Sequence, residues 1–187
     1  VPFIGEIPFY RPKEKKKLGK NEKEEKKIIV RDGSRDLINE AFRVLRTNLE
    51  FMNDKEKDSN VILLTSFNPG SGKTFLAMNI GASLAVKGKR VLVIDGDMRH
   101  GSTSGYVGSP KIGLSDYLSH GVDNVEEIIV KEGSCKTLDI IPIGSTPPNP
   151  TELLHDSRFG ELIAYMREKY DYVLIDCPPL DIVADTQ

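Results

Sequence analysis

The stretch Val61-Ile62-Leu63-Leu64-Thr65-Ser66-Phe67-Asn68-Pro69-Gly70-Ser71-Gly72-Lys73-Thr74 decides the reading of the fold. It begins as a continuous apolar run of strand length and passes into a turn punctuated by Pro and Gly. A helical stretch then runs to about Lys87, and Gly88 ends it. Strand, glycine turn and helix in that order make a phosphate cradle. The glycines let successive backbone N–H groups turn inward, and the helix N-terminus presents the positive end of its dipole. Lys73 is placed to reach the β- and γ-phosphates of a nucleotide, and the Thr74 hydroxyl to ligate Mg²⁺. The strict pattern wants Gly at position 67, where this chain has Phe67. The strand before the turn and the helix after it offset that departure.

The same unit recurs in looser form along the chain. Val91-Leu92-Val93-Ile94 reads as a second buried strand, Leu138-Asp139-Ile140-Ile141-Pro142-Ile143 as a third and Tyr172-Val173-Leu174-Ile175 as a fourth, each reached after a helical stretch. Apolar strands alternating with helices predict a doubly wound, mainly parallel α/β sheet with helices on both faces. In such sheets ligands sit at the carboxyl ends of the strands. Ahead of the first strand, Leu37, Ala41, Val44, Leu45, Asn48, Leu49 and Met52 step by three or four. That spacing predicts an amphipathic helix from Ser34, with Ser34 as its N-cap and those residues on one face.

Two further loops carry carboxylates at strand ends. Asp95-Gly96-Asp97-Met98-Arg99 follows the second strand, and two acids just beyond a buried strand are costly unless something binds them. Mg²⁺ is one candidate; alternatively Asp95 accepts the proton of an attacking hydroxyl. Arg99 is near enough in sequence to neutralise phosphate or to pair with Asp97. Asp176-Cys177-Pro178-Pro179 follows the fourth strand, and an Asp at such a tip matches the arrangement that holds Mg²⁺ through its water shell. The two prolines stop the strand. Cys177 reads as a small packed residue, and His100, His120 and His155 show no metal spacing and read as surface or loop.

The 187 residues carry a net charge of -2, with 39% hydrophobic and 29% charged residues, which is ordinary globular composition. That balance gives no global pull toward nucleic acid. Cys135 and Cys177 stand far apart without pairing or ligand spacing, as in a reducing compartment. No apolar run reaches bilayer length. Residues 11–27 are nearly all Lys and Glu, a solvated linker whose Lys excess would favour anionic lipid beside a membrane anchor. The expected division is therefore an N-terminal arm and linker over 1–33 and one nucleotide-binding domain over 34–187. The chain reads as part of something longer, because it starts without Met and stops at Asp185-Thr186-Gln187, where a helix is beginning.

Together the three loops resemble the deviant P-loop superfamily that includes MinD-like and ParA-like ATPases and the bacterial tyrosine kinases. MinD-like proteins carry an extra P-loop Lys where this chain has Asn68-Pro69, and the Pro-Gly-x-Gly-Lys-Thr form looks like the tyrosine kinases. Asp95, Asp97 and Arg99 match that family's Asp-x-Asp-x-Arg element, although a basic residue and Pro often follow there and His100-Gly101-Ser102 follows here. Glu40, Arg43 and Arg46 match its Glu-x-x-Arg-x-x-Arg element, implicated in ring-like self-association. Gly5-Glu6-Ile7-Pro8 and Pro148-Asn149-Pro150-Thr151-Glu152-Leu153-Leu154 resemble further family segments, the first linking a membrane-embedded adaptor to the kinase.

The resemblance implies the cytoplasmic catalytic domain of an inner-membrane-anchored tyrosine autokinase of polysaccharide synthesis and export. It implies ATP and Mg²⁺ as cofactors, with Asp95, Lys73 and Asp97 catalytic and Thr74, Asp97 and Asp176 on the metal. Pro69, Gly70, Ser71, Gly72, Lys73, Thr74, Phe75 and Arg99 would hold the nucleotide. The partners implied are further copies of the chain in a ring, which supply acceptor tyrosines in trans, and the adaptor region, with no nucleic acid. The family usually continues beyond the Asp-x-Pro-Pro loop into a Tyr-rich tail, so Tyr10 is the one easy acceptor here; Tyr165, Tyr170 and Tyr172 are expected to pack. The alternative is a MinD/ParA-like ATPase switch that controls assembly or partner binding.

Overall fold

The computed structural model describes residues 3–10, 28–53 and 60–180. The Lys/Glu-rich stretch 11–27 and the expected helix start at 185–187 lie outside the described residues. The elements in chain order are α1 (Leu37–Asn53), β1 (Val61–Leu64), α2 (Lys73–Val86), β2 (Val91–Asp95), α3 (Leu114–Leu118), β3 (Val130–Lys131), β4 (Leu138–Ile141), α4 (Pro150–His155), α5 (Ser157–Lys169) and β5 (Tyr172–Asp176). Short 3-10 turns cover Ser104–Val107 and Val125–Ile128. The sheet order is β1-β5-β2-β4-β3, parallel except for the antiparallel β3 at one edge.

Successive strand residues point to opposite faces, and in the three central strands both sets are apolar up to the strand-end acids, apart from Asp139 of β4, which accepts from the Tyr170 hydroxyl at 2.8 Å. Val91, Val93, Leu138, Ile140, Tyr172 and Leu174 face α1 and α2, where they meet Phe42, Leu45, Ala77 and Met78. Leu92, Ile94, Ile141, Val173 and Ile175 face the other layer, against Leu114, Leu118, Leu162 and Met166. Helix α2 is apolar on nearly every side, because α1 covers the surface it turns away from the sheet. The expected strands and layers are all present. Strand β3 was not expected, since two residues with one exposed carry no periodicity.

Helix α1 differs from its expected form in two respects. It starts at Leu37, and Asp36 rather than Ser34 caps it, accepting from the Asn39 N–H at 3.0 Å. Ser34 donates its hydroxyl to Asp36. The buried face is also rotated from the one expected. Phe42 and Leu45 are buried and Ile38 and Leu49 pack against the core, whereas Leu37 is 75% exposed, Val44 56% and Met52 is exposed as well. The sheet-side stripe therefore steps 38, 42, 45, 49, a spacing as good as the expected one.

The Glu40, Arg43 and Arg46 stripe is divided by the same rotation. Glu40 and Arg43 pair at 2.8 Å on the surface, and Arg43 also donates to the Ser34 carbonyl at 2.7 Å. Arg46 instead turns inward, 6% exposed, and donates to the Ser83 carbonyl of α2 at 2.9 Å. It is not part of a surface ion-pair row.

The ends of the arm also pack on the domain. Ile4, Ile7, Ile28, Ile29 and Val30 lie against the α1/α2 core. The Asn48 side chain donates to the Ile4 carbonyl at 2.8 Å, and the Ile29 and Val30 N–H groups donate to Asn79. Tyr10 stacks on Phe75 with ring centroids 5.9 Å apart, so it is not on a free arm. Tyr170 and Tyr172 are buried as expected, while Tyr165 is half exposed. No helix among the described residues is long and apolar enough to cross a membrane.

Candidate active site

Parallel register brings the three loops together. Leu64 pairs with Asp176 across β1 and β5, and Asp95 pairs with Asp176 across β2 and β5, so all three strands end at one level. Beyond β1 the chain turns through Gly70 and Gly72, with φ of 74° and 88°, a region that side chains rarely adopt. Gly72 caps α2 without a side-chain hydrogen bond, which leaves the first-turn N–H groups available to an anion. Ser66 and Ser71 both donate to the Asn68 carbonyl, folding the loop on itself.

The side chains below this loop converge. Lys73 Nζ lies 3.8 Å from Asp97 Oδ2, with both side chains largely buried. Thr74 Oγ1 donates to Asp176 Oδ2 at 2.7 Å, and Thr103 Oγ1 donates to the same oxygen at 2.8 Å. Asp95, 0% exposed, takes the Ser104 N–H and hydroxyl on Oδ2, each at 2.7 Å. Ser104 Oγ in turn accepts from the Ile143 N–H at 2.9 Å, tying this cover to the end of β4. Neither Thr103 nor Ser104 was singled out from the sequence. The only signal available was a run of small hydroxyl residues directly after the Asp-x-Asp loop.

The other oxygen of Asp95, and of Asp176, is buried without any hydrogen-bond partner. Burial pushes the Asp95 carboxyl up to about 6; the Ser104 hydrogen bonds oppose this, and the charges on Asp176 and Asp97 add to it. Asp176 is raised as well, chiefly by burial, against the lowering effect of the Thr74 and Thr103 hydroxyls and Lys73. The orphaned Asp176 oxygen beside a helix N-terminus fits a cation held partly through water, and the orphaned Asp95 oxygen is free to accept a proton. Among the described residues no three acidic, His or Cys side chains cluster closely enough to hold a metal alone.

Other expected site residues lie elsewhere. The Phe75 ring points away from the loop into the α1/α2 core, 6.0 Å from Phe42, so only its backbone is near the cradle. Arg99 is exposed and does not pair with Asp97, whose polar neighbours are Lys73 and the His100 ring, the latter at 3.2 Å. Arg99 borders a small cleft with Pro150, Thr151, Leu154 and Pro178, so the 148–154 segment abuts the Asp-x-Asp loop. His100 is on a loop as expected. Cys177 is half-buried, and burial raises its thiol.

Residues 59–186 match the AAA domain family. Tyrosine-protein kinase Wzc of Salmonella typhimurium is 45% identical over 151 residues, which are 80% of this chain and 21% of that protein. The chain belongs to the bacterial tyrosine kinases of the AAA domain family. The solved kinase domain of Escherichia coli tyrosine kinase Etk superposes with a TM-score of 0.78 at 35% identity, covering 89% of this chain and 64% of that one. MinD from Pyrococcus horikoshii, solved with Mg-ADP, superposes at a TM-score of 0.55 and 29% identity, covering 64% of this chain and 49% of that one. The wider P-loop superfamily is thus visible behind the kinases. The chain spans about a fifth of the length of the curated kinases it matches.

Proposed function

We propose that this chain is the catalytic domain of a tyrosine autokinase, transferring the γ-phosphoryl group of ATP to a protein tyrosine with the help of Mg²⁺. The observation that carries the proposal is the convergence of Lys73, Thr74, Asp95, Asp97 and Asp176 beneath an uncapped helix N-terminus. The backbone from Pro69 through Phe75, together with Lys73, holds the nucleotide phosphates, and Arg99 would have to swing in from the neighbouring cleft to reach them. Thr74, Asp97 and Asp176 would hold Mg²⁺, which neutralises charge on the β- and γ-oxygens when bound. Asp95 takes the proton of the tyrosine hydroxyl through its unpartnered oxygen while that hydroxyl attacks the γ-phosphorus and ADP leaves. A carboxyl near 6 is well matched to that task at neutral pH. For a hydroxyl to reach Asp95, the Thr103–Ser104 cover has to lift.

Residues 1–33 serve as arm and linker and 34–187 as the domain, with Ile4, Ile7 and Val30 holding the arm's two ends to it. The domain acts on the cytoplasmic side of a membrane-anchored kinase of polysaccharide synthesis, and a neighbouring copy in a ring supplies the tyrosine. Glu40 and Arg43 present the contact, and Arg46 positions α1 against α2. The test is incubation with γ-labelled ATP, Mg²⁺ and a Tyr-rich peptide, alongside Lys73→Met and Asp95→Asn. Phosphotyrosine that vanishes in both variants is expected. Free phosphate without phosphotyrosine would replace the kinase reading with an ATPase switch.

A further inference from the structure

Far from the strand ends, a cleft of about 400 Å³ opens between the 30–35 segment, α1 and the C-terminal end of α2. Its walls carry Arg31, Arg35, Arg43, Arg46 and Lys87 against a single carboxylate, Asp32. Arg43 is already engaged by Glu40 and the Ser34 carbonyl. Among the described residues, Arg31, Arg35, Arg46 and Lys87 have no carboxylate within ion-pair distance. Arg46 is the unusual member. Its guanidinium is buried, its bonds go only to the carbonyl and hydroxyl of Ser83, and its Nε has no partner. A charge taken out of water is costly; Glu50 offsets part of that cost for Arg46 and Arg43 adds to it, so a bound anion would lower it further.

We propose that this cleft binds a diphosphate group. Arginine forks match phosphate oxygens in pairs, and with Arg43 paired to Glu40 the remaining excess of three positive charges suits a multiply charged anion better than a single carboxylate. The volume falls in the range of roughly 300–1,000 Å³ usual for small-ligand pockets. No aromatic residue lines the cleft, so it offers a nucleobase nothing to stack on and selects the phosphates themselves. The negative end of the α2 dipole opposes an anion here, but that is a fraction of one charge against three. Helix α2 separates the cleft from Lys73 by roughly 20 Å, at 1.5 Å per residue, so the two anion sites are distinct.

The probe is sodium pyrophosphate, titrated into the Lys73→Met protein so that the phosphate cradle is disabled, at fixed ionic strength and followed by amide NMR and calorimetry. Saturable shifts at Val30–Gly33 and Ser83–Lys87 are expected, with affinity about tenfold weaker or worse in Arg31→Ser/Arg35→Ser, whose side chains lie at the cleft mouth. Arg46→Lys, which keeps the charge and loses the fork, should weaken binding while the protein stays folded. Vesicles bearing a diphosphate lipid offer the same group from a membrane source; flotation with them, set beside the free titration, tells which source binds. Absence of shifts at those amides would overturn the proposal, as would equal affinity in the double variant or an equal response to sulfate. Shifts that track protein concentration and sedimenting mass instead would assign the cleft to a second copy of the chain and equally overturn it.

Discussion

Replacing Asp95 by Asn should stabilise the free protein at neutral pH, with a size set by the geometry of the site. Asp95 is fully buried with one oxygen satisfied by Ser104 and the other unpartnered. Its carboxyl moves from 3.8 in the unfolded chain to about 6 in the fold. A raised carboxyl means the folded state holds a proton that the unfolded state has released, so stability falls as pH rises from about 4 to about 6. At roughly 1.4 kcal/mol per pH unit, the ionised side chain costs the fold about 3 kcal/mol above that window. An Asn keeps an oxygen for the Ser104 donors and removes the charge. Urea denaturation of wild type and Asp95→Asn should therefore show the variant more stable by on the order of 2–3 kcal/mol at pH 7.5. The advantage should shrink steadily toward pH 4. An advantage that stays flat across pH, or a variant less stable at every pH, would refute the electrostatic account. The same variant should have lost phosphotyrosine formation, separating stability from activity in opposite directions.

Three further outcomes follow from the packing. Phe42→Ala should cost about 3–5 kcal/mol in chemical denaturation, because that ring is buried against Phe75, whereas Val44→Ala should stay within about 0.5 kcal/mol since Val44 faces water. Thr103→Val removes one of the two hydroxyl donors to Asp176, so Asp176 should titrate still higher, read by carboxyl NMR, and Mg²⁺-dependent nucleotide binding should need higher pH. Tyr10→Ala should lower the melting temperature slightly, read by calorimetry, since its stacking on Phe75 is one of the contacts fastening the described part of the arm.

The strands were legible because each central one is apolar on both faces, a signal that survives without knowledge of neighbours. Val91–Asp95 and Tyr172–Asp176 are buried at every position. Helix α1 was legible as a helix but not in its orientation. Leu37, Val44 and Met52 compete with Ile38, Phe42 and Leu49 as an apolar stripe, and only contact with α2 selects the second set. Arg46 inside that interface runs against composition and is explained by the Ser83 carbonyl, 37 residues away. In the site, Lys73, Thr74 and the acids were readable because their types and places in strand-end loops carry chemistry. Thr103 and Ser104 were not, because a hydroxyl in a loop has no meaning until the fold brings a carboxylate to it.

Topology explains why the acids can be perturbed at all. In a parallel sheet every strand delivers its carboxyl end to the same edge, and the register pairs Asp95 directly with Asp176. An antiparallel β2/β5 pair would send the two side chains to opposite ends of the sheet. Both are raised chiefly by burial; the charges on Asp176 and Asp97 push Asp95 up further, while Lys73, which lies against Asp97, lowers Asp176 without undoing the effect of burial. The hydroxyls of Thr74, Thr103 and Ser104 hold one oxygen of each acid in place, fixing where the bare oxygens lie. The strain of two under-satisfied carboxylates is thus maintained by the sheet on one side and the hydroxyl cover on the other. A cation or a hydroxyl proton arriving at this edge meets acceptors already oriented, whose desolvation was met when the chain folded.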